Sequence, residues 1–316
     1  CIHAYAAIAD MAASENLENG SYARAMSKTV AGTGDGFYYF IRTRVESDTP
    51  DGENIVAIGD SLVGVKIPNF TADKFEDFVS DNMINVKYAG AKGDGTTDDY
   101  AVLQGLIEDN PHKTLYFPAG TYLISDTLHI QTGNAYQVNL KLDKNAKITS
   151  NQSIDYLLEV GTEAGGTDVY NRYEEGSIVS IDGGIFDCGN ASSAIYISAN
   201  QKQTKITNTV IFNLSQYGIY IDRGTNTSVS SDADIMNVSI NGRGSEVGGI
   251  GIYAYGSDNK ISHVRINKCQ TGVYDNGGGT YYFDVHVLYS YSSSSVSSAQ
   301  YEATKAFVFA SNNLAM

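Results

Sequence analysis

The sequence predicts an all-β protein whose main part is a single-stranded, right-handed parallel β-helix, preceded by a small α+β domain. Two recurring features predict this fold. A short strand ending in a polar residue returns at intervals of 26, 28 and 26 residues, and each is followed by a small residue, a branched aliphatic residue and a tyrosine. The polar end residues are Asp187, Asn213, Asn241 and Asn267, and the tyrosines are Tyr196, Tyr220, Tyr253 and Tyr274. Propeller blades need about 40–45 residues each, so these shorter units fit single coils of a β-helix.

Successive coils of a parallel β-helix stack about 4.8 Å apart, and equivalent residues lie above one another. Because each strand alternates aliphatic residues with polar or aromatic ones, we expect the aliphatic residues inside and the four tyrosines outside. The four polar end residues are expected to form a ladder at one corner, with side-chain hydrogen bonds from coil to coil.

The composition of the 316-residue chain argues against several classes of function. The formal net charge is −15, which argues against a nucleic-acid partner because phosphate binding requires Lys and Arg. It also argues against a strongly acidic glycan unless a cation bridges the two. No run of about 18 apolar residues is present, so the sequence predicts no membrane span.

The cysteines do not predict a disulfide framework. Cys188 and Cys269 are expected three coils, or roughly 14 Å, apart, which exceeds the reach of a disulfide. The chain begins at Cys1 rather than at a methionine, and no capping element is evident near Met316. We therefore expect this sequence to be part of a longer or processed protein.

Residues 1–68 are predicted to form the small α+β domain. Apolar residues on one face predict a helix over residues 6–17. Two strands over residues 21–30 and 36–45 are expected to flank a glycine-rich hairpin. One or two further strands are expected over residues 55–67.

Residues 69–316 are predicted to form the β-helix domain. Apolar periodicity predicts a short helix over residues 71–82 and a capping helix over about residues 97–109. The capping helix would cover the open end of the first coil. Thr96 and Asp99 are expected to form a capping box where it begins.

The remaining elements follow the capping helix. The first coil strand is expected over residues 113–122, and alternating aliphatic residues predict another coil over residues 136–161. Residues 161–175 read as a projecting loop. After the four repeat coils, strands are predicted over residues 282–291 and 306–310, and the serine-rich segment between them reads as a loop.

Two motifs near the first coil carry a family resemblance. The run GAKGDGTTDD at residues 90–99 and the run LYFPAGTY at residues 115–122 resemble motifs of the pectate-lyase-3-like family. The preceding domain resembles the small domain before the β-helix in many bacteriophage tailspikes. The resemblance implies a protein that binds or degrades polysaccharides and is usually trimeric in tailspikes. It does not imply pectate as the substrate, since one fold hosts many activities. We interpret Asp94, Asp98 and Asp99 as turn and cap residues rather than as catalysts.

The outward tyrosines are the predicted glycan-binding surface. Sugar rings stack on aromatic faces while their hydroxyl groups form hydrogen bonds with nearby polar groups. The next outward column is expected to hold Ser198, Asp222, Tyr255 and Asn276. The alternatives are that the column contacts another subunit or only stabilises the sheet by cross-strand stacking. The predicted substrate-binding residues are Tyr196, Tyr220, Tyr253, Tyr255, Tyr274, Arg223 and Arg243.

Neighbouring coils can also bring two carboxyl groups together, as glycoside hydrolysis requires. Asp222 is the first candidate because it follows Tyr220 on the outward face. Glu246 in the longest repeat loop and Asp275 are expected near the tyrosines, and Asp187 at the adjoining corner. A lyase would instead need a base such as Arg223, and often calcium. The sequence shows neither an acidic cluster at calcium-ligand spacing nor a zinc pattern, so we predict no cofactor and no metal site.

Together, these features predict a phage tailspike-like polysaccharide depolymerase that cleaves glycosidic bonds. Its expected partners are a bacterial capsular or exopolysaccharide and two further copies in a homotrimer. Its expected location is the virion tail or the extracellular space. The alternatives are a non-catalytic receptor-binding or structural tail module, and a polysaccharide lyase.

Overall fold

The computed structural model describes residues 2–25, 37–67, 83–130, 138–161, 179–198, 203–223, 231–243, 248–288 and 305–310. Four predicted features lie outside these ranges. They are the glycine-rich hairpin, the helix over residues 71–82, nearly all of the projecting loop and the serine-rich segment. None of the helices in the described ranges is both long and apolar enough to cross a lipid bilayer.

The N-terminal residues form a five-stranded sheet with one short helix, α1 (Ile8–Ala12). Only the first two strands pair in parallel, and the sheet order is β1-β2-β3-β5-β4. The strands are β1 (Ile2–Tyr5), β2 (Tyr22–Ala25), β3 (Phe37–Thr43), β4 (Ile55–Ile58) and β5 (Leu62–Lys66). The helix is shorter than predicted because Ser14 leaves the helical path. Its hydroxyl contacts the Tyr5 hydroxyl and accepts a hydrogen bond from the amide of Asn16, and such side-chain bonds compete with helical ones.

The two faces of this sheet pack against different partners. One face packs on α1 around Met11 and Ile41. Tyr22, Tyr38 and Phe40 instead belong to the large apolar core of the β-helix. The apolar interior is therefore continuous between the N-terminal sheet and the first coils.

The helix α2 (Tyr100–Asp109) follows the first two strands of the β-helix, β6 (Met83–Asn85) and β7 (Asp94–Asp98). Leu103, Leu106 and Ile107 are buried in the core at the open end of the first coil, which confirms that α2 is a capping helix.

The predicted capping box of α2 is wrong. Residues 94–98 are extended and form β7 (Asp94–Asp98), so the helix begins three residues later than expected. The carboxylate of Asp99 accepts hydrogen bonds from the amides of Lys92 and Gly93, and the Thr96 hydroxyl donates to Asp94. These bonds support a structural role for the aspartates of this motif.

The coils of the β-helix form two parallel sheets, which confirms the predicted fold. The seven-stranded sheet consists of β10 (Leu128–Ile130), β12 (Tyr156–Val160), β14 (Ser193–Ile197), β17 (Tyr217–Ile221), β19 (Ile250–Ala254), β21 (Thr271–Asp275) and β23 (Lys305–Phe309). The second sheet has 11 strands and bends around the core. Its strands, with β7, are β6 (Met83–Asn85), β8 (Thr114–Phe117), β9 (Gly120–Leu123), β11 (Asn139–Ser150), β13 (Val179–Gly189), β15 (Thr204–Thr207), β16 (Val210–Leu214), β18 (Asp234–Gly242), β20 (Lys260–Asn267) and β22 (Tyr281–Leu288).

The predicted polar ladder forms only in part. Asp187, Asn241 and Asn267 occupy equivalent positions, but Phe212 rather than Asn213 lies between Asp187 and Asn241. Asn213 has a φ of 61° and sits at a break in the strand register, which displaces it from the column. Its side-chain amide nevertheless donates to Asp187 at 2.7 Å.

A second ladder, which the sequence analysis missed, lies at the bend of the second sheet. Asn208 donates to Asp182 and Asn237 donates to Asn208, each at 2.7 Å. Both asparagines have positive φ, and asparagine is one of the few residues that tolerate this conformation. The two cysteines behave as predicted, since Cys188 and Cys269 are buried free thiols.

Candidate functional site

A column of tyrosines runs along the outer face of the seven-stranded sheet. Strand register places Tyr196, Tyr220, Tyr253 and Tyr274 opposite one another in successive coils. Their neighbours in the strands, such as Ile219, are fully buried, whereas the four tyrosines are half-buried. The alternation of the strand therefore places the rings outside, as expected.

The rings of this column contact one another directly. Tyr220 and Tyr253 have ring centroids 4.9 Å apart, and Tyr253 and Tyr274 are stacked at 5.0 Å with nearly parallel planes. Such pairs are worth about 0.5–1.5 kcal/mol each beyond their buried area. Ring contacts therefore hold the column in place before any ligand binds.

Two further tyrosines widen the surface, and the sequence analysis missed both. Tyr156 stacks on Tyr196 at 4.8 Å, and Tyr217 lies 5.0 Å from Tyr220 and 5.5 Å from Tyr253. Tyr217 precedes the column residue Tyr220 by three residues, and this spacing in the sequence could have indicated a second tyrosine beside the column. We call the six residues the tyrosine strip: Tyr156, Tyr196, Tyr217, Tyr220, Tyr253 and Tyr274.

Asp222 lies at the edge of the tyrosine strip. Its amide donates to the carbonyl of Ile197, so the coil stacking continues one residue past β17. Its carboxylate accepts a 2.7 Å hydrogen bond from the Tyr196 hydroxyl. Burial, together with this bond, raises the pKa of Tyr196 well above its ordinary value. Tyr196 therefore stays protonated and can hold the carboxylate of Asp222 in one position.

Glu159 is a second carboxylate at the strip, which the sequence analysis did not single out. It occupies the position equivalent to Tyr196 in the preceding coil. Its side chain is 13% exposed and lies 3.2 Å from Nδ1 of His129. Burial and the nearby charges, including those of Asp222 and Glu159, raise the pKa of Tyr156 to about 12. Glu159 lies in the coil predicted over residues 136–161, where a glutamate stands in place of the column tyrosine.

The strand geometry limits how closely Glu159 and Asp222 can approach. They are two coils and two residues apart, which places their Cα atoms roughly 12 Å from each other. Retaining glycosidases hold their carboxyl groups about 5–5.5 Å apart and inverting ones about 6.5–9.5 Å. The carboxylate of Asp222 reaches Tyr196 in the coil between them, whereas that of Glu159 contacts His129 in the preceding coil, so an inverting separation requires Glu159 to turn away from His129.

Asp275 was expected near the tyrosines and does follow Tyr274 directly, but its side chain is not on the outer face with them. It occupies the inward column, opposite Ala254, and is 7% exposed. Asp275 directly follows the outward residue Tyr274, and consecutive residues of a strand point to opposite faces, so the side chain of Asp275 points inward. Its carboxylate accepts bonds from the amide of Gly277 at 3.0 Å and the hydroxyl of Tyr282 at 2.7 Å. These contacts are those of a structural residue.

Asp187 and Arg243 are held by contacts outside the seven-stranded sheet. Asp187, in β13 of the second sheet, contacts the ammonium group of Lys147 at 3.3 Å and accepts the bond from Asn213. Arg243 donates to the carbonyl of Gly189 at 2.6 Å. Glu246 lies outside the described residues. Catalytic and binding roles for these residues stay predictions.

Arg223 and Tyr255 border the strip on the side away from Glu159. The guanidinium carbon of Arg223 lies 4.4 Å from the centroid of the Tyr255 ring. The Tyr255 ring in turn lies 6.4 Å from that of Tyr253. Among the described residues, no group of three or more His, Cys, Asp or Glu side chains is arranged to hold a metal ion.

Comparison with a family model identifies the β-helix region. Residues 83–300 match the model described as rhamnogalacturonase A/epimerase, pectate lyase-like. This range covers more than half of the chain.

Comparison with individual proteins gives shorter or more distant similarities. A probable glucan endo-1,3-beta-glucosidase of Arthroderma benhamiae is 36% identical over 77 residues, which are 24% of this chain and 7% of that protein. The chain therefore spans a small part of that relative.

Two solved structures have a similar fold. The Geobacillus virus E2 protein ORF18 has a TM-score of 0.48 and 16% identity, over 91% of this chain and 62% of that one. Pantoea stewartii WceF, a glycan biofilm modifying enzyme with a bacteriophage tailspike-like parallel β-helix fold, has a TM-score of 0.39 and 12% identity, over 100% of this chain and 50% of that one.

Proposed function

Because the chain belongs to the rhamnogalacturonase A/epimerase, pectate lyase-like family, we propose that it binds a bacterial surface polysaccharide along the tyrosine strip and hydrolyses its glycosidic bonds. The observation that carries the proposal is the bond between the Tyr196 hydroxyl and the carboxylate of Asp222. This bond joins the sugar-stacking platform to the catalytic carboxylate.

The strip suits an extended chain of sugars. It follows the axis of the β-helix over five coils, which correspond to roughly 19 Å. Half-buried rings offer apolar faces to the sugar rings, and the tyrosine hydroxyls can exchange hydrogen bonds with sugar hydroxyls.

The two carboxylates beside Tyr196 supply the chemistry. In an inverting hydrolysis, one carboxylic acid protonates the leaving glycosidic oxygen while the other carboxylate activates a water on the opposite face of the sugar. We assign these two roles to Asp222 and Glu159, because both lie next to Tyr196 on the outer face. Asp222 is the primary catalytic residue because its carboxylate is fixed against the strip.

Reducing ends released from capsular polysaccharides test the proposal. We expect release from a glycan that the protein binds, and a loss of at least 100-fold for Asp222→Asn, in line with typical general acid–base contributions. Asp234→Asn on the second sheet makes the same chemical change away from the strip and serves as the control. Full activity in Asp222→Asn would remove this residue from the mechanism.

Two alternatives make different predictions in the same assay. The ring contacts within the strip would stabilise the sheet in a purely adhesive protein too, and such a protein would release no reducing ends from the glycan it binds. A lyase that uses Arg223 as its base would instead form an unsaturated uronate, which absorbs in the ultraviolet.

We also propose that the protein acts as a homotrimer on a virion tail or outside the cell. This proposal rests on the resemblance of the first domain to the small domain that precedes the β-helix in many tailspikes. Light scattering of the purified chain tests the trimer, and a monomer at micromolar concentration would contradict it.

A further inference from the structure

Three Asn-Gly pairs occur in the sequence, at residues 19–20, 241–242 and 276–277. In such a pair, the main-chain nitrogen of the glycine can attack the side-chain amide of the asparagine, because glycine carries no Cβ and leaves its backbone free to turn. This attack begins a deamidation, which replaces the asparagine by aspartate or isoaspartate. The glycine nitrogen must first lose its proton, so the group that accepts its hydrogen bond matters.

The amide of Gly277 faces a carboxylate. It donates a 3.0 Å hydrogen bond to Oδ1 of Asp275, the residue two positions before it. Both residues are buried. A hydrogen bond to an ionised acceptor is about twice as strong as one between neutral groups. The carboxylate of Asp275 therefore lies where it can take up the proton that the Gly277 nitrogen must lose.

The glycine amides of the other two pairs donate to groups that are not bases at neutral pH. The amide of Gly20 donates to the carbonyl of Ile41 at 2.7 Å. The amide of Gly242 donates to the thiol of Cys269, and burial raises the pKa of that thiol to about 12, so it stays protonated. These two pairs are therefore internal references for the chemistry of Asn276.

Packing between coils explains why position 277 holds a glycine. A side chain there would place its Cβ atom 2.1 Å from the carbonyl oxygen of Gly256 in the preceding coil, which is far closer than van der Waals contact allows. The stacking of the coils thus requires the glycine whatever residue precedes it. The reactive pair is therefore built into this end of the strand.

The side chain of Asn276 lies at the edge of the tyrosine strip. The amide of Asn276 donates to the carbonyl of Ala254 at 2.8 Å, as the amide of Asp222 does to that of Ile197 two coils earlier. Its side chain forms a hydrogen bond with Tyr253, so Asn276 stands to this tyrosine as Asp222 does to the tyrosine of its own preceding coil. Asn276 is only half-buried, which leaves it accessible to water.

We propose that Asn276 is a deamidation site and that Asp275 is the base of the reaction. The Gly277 nitrogen forms a bond with Cγ of Asn276 while the bond from Cγ to Nδ2 breaks, which gives a succinimide ring. One proton moves from the Gly277 nitrogen by way of Asp275 to the departing nitrogen, which leaves as ammonia. Water then adds to one of the two ring carbonyls and opens the ring. In total, one water is consumed, one ammonia is released and the amide becomes a carboxyl group.

The reaction would change the tyrosine strip. Addition of water to the side-chain carbonyl places a carboxyl group beside the Tyr253 hydroxyl, two coils or roughly 10 Å along the strip from that of Asp222. Addition to the main-chain carbonyl gives isoaspartate instead, which lengthens the backbone by one methylene group at the end of β21. Either product adds one negative charge to the strip without the help of another protein.

Peptide mass spectrometry of the full chain, incubated at neutral pH and digested at intervals, tests the proposal. It measures the deamidated fraction at Asn19, Asn241 and Asn276 in one sample. In the folded chain we expect Asn276 to react at least about tenfold faster than the other two, which is below the ~10²–10⁴-fold that a positioned base contributes in enzymes. In urea the three rates should be similar. Equal rates in the folded chain, or a slower one at Asn276, would overturn the proposal.

Two variants separate the base from a loss of stability. Asp275→Asn keeps the size of the side chain but cannot take up the proton, and should slow the reaction of Asn276 to the rate at Asn241. Asp234→Asn removes a carboxylate of the second sheet and should leave all rates unchanged. A looser fold would speed the reaction, so an unchanged or faster rate at Asn276 in Asp275→Asn would contradict the role of Asp275. If that variant does not fold, the three rates in the unmodified chain still decide. No measurement involves a glycan, so the outcome is independent of the proposed function.

Discussion

Replacing Tyr196 by phenylalanine tests whether its hydroxyl positions the carboxylate of Asp222. The change removes one oxygen and leaves the ring, so the contacts with Tyr156 and Tyr220 are kept. Only the 2.7 Å hydrogen bond to Asp222 is lost. Glycan binding should therefore change little, whereas catalysis should fall.

The size of the effect follows from the kind of hydrogen bond that is lost. Hydrogen bonds to charged groups contribute about 1.5–3 kcal/mol. Both side chains are half-buried, so water can replace part of the bond, and we expect roughly 1–2 kcal/mol. Since about 1.36 kcal/mol corresponds to a tenfold change in rate, kcat/KM should fall roughly 5- to 30-fold, mostly through kcat.

The assay is the rate of reducing-end release at several substrate concentrations, which separates kcat from KM. Tyr274→Phe is the matched control, because it makes the same change in the same column and no carboxylate of the described residues accepts a hydrogen bond from the Tyr274 hydroxyl. In the Asp222→Asn background, Tyr196→Phe should have almost no further effect, since residues that act together are not additive. Fully additive losses would refute the positioning role.

Three further predictions concern binding and stability. Tyr253→Ala removes the ring that contacts Tyr217, Tyr220 and Tyr274, and should weaken glycan binding at least tenfold in calorimetry, whereas unchanged affinity would contradict the strip. Asp275→Ala leaves the Tyr282 hydroxyl without its acceptor and should lower the urea unfolding free energy by about 1–3 kcal/mol, with an unchanged value counting against its structural role. Burial raises the pKa of Tyr282 above the ordinary value of about 10, so the folded chain keeps a proton that the unfolded chain releases. The unfolding free energy should therefore fall as the pH rises above about 10, with a smaller slope in Tyr282→Phe, and equal slopes would contradict this assignment.

The repeat itself was predictable because stacked coils impose it on the sequence. Each coil must present aliphatic residues to one interior, so Ile195, Ile219, Ile252 and Val273 recur with their tyrosines. The strand alternation then determines the direction of each ring. Pattern reading was sufficient for the fold and for the tyrosine column.

The same rule explains why Asp275 is buried although it is next to a column tyrosine in the sequence. It follows Tyr274 directly, so strand alternation places its side chain inside. Its burial is tolerated because the Tyr282 hydroxyl and the Gly277 amide bond its carboxylate.

Asn213 shows what the spacing of residues could not reveal. The interval between polar residues suggested that it stands in the ladder, yet Phe212 occupies that position. A positive φ at Asn213 inserts one extra residue at the corner, and asparagine fits both the ladder and the left-handed turn. Residue type alone could not distinguish these two uses.

The candidate site depends on residues just beyond the point where the strand ends. Within β17, alternation would send consecutive residues to opposite faces, with one of them inside. Asp222 keeps the outward direction that this alternation gives it, and Arg223, two residues past the end of β17, contacts the following coil on the outer face. The regular coils therefore supply the tyrosine platform, and the strand end supplies the charged groups beside it. The period of the sequence therefore predicts the platform and the outward direction of Asp222, whereas the contact of Arg223 with the ring of Tyr255 depends on where the strand ends.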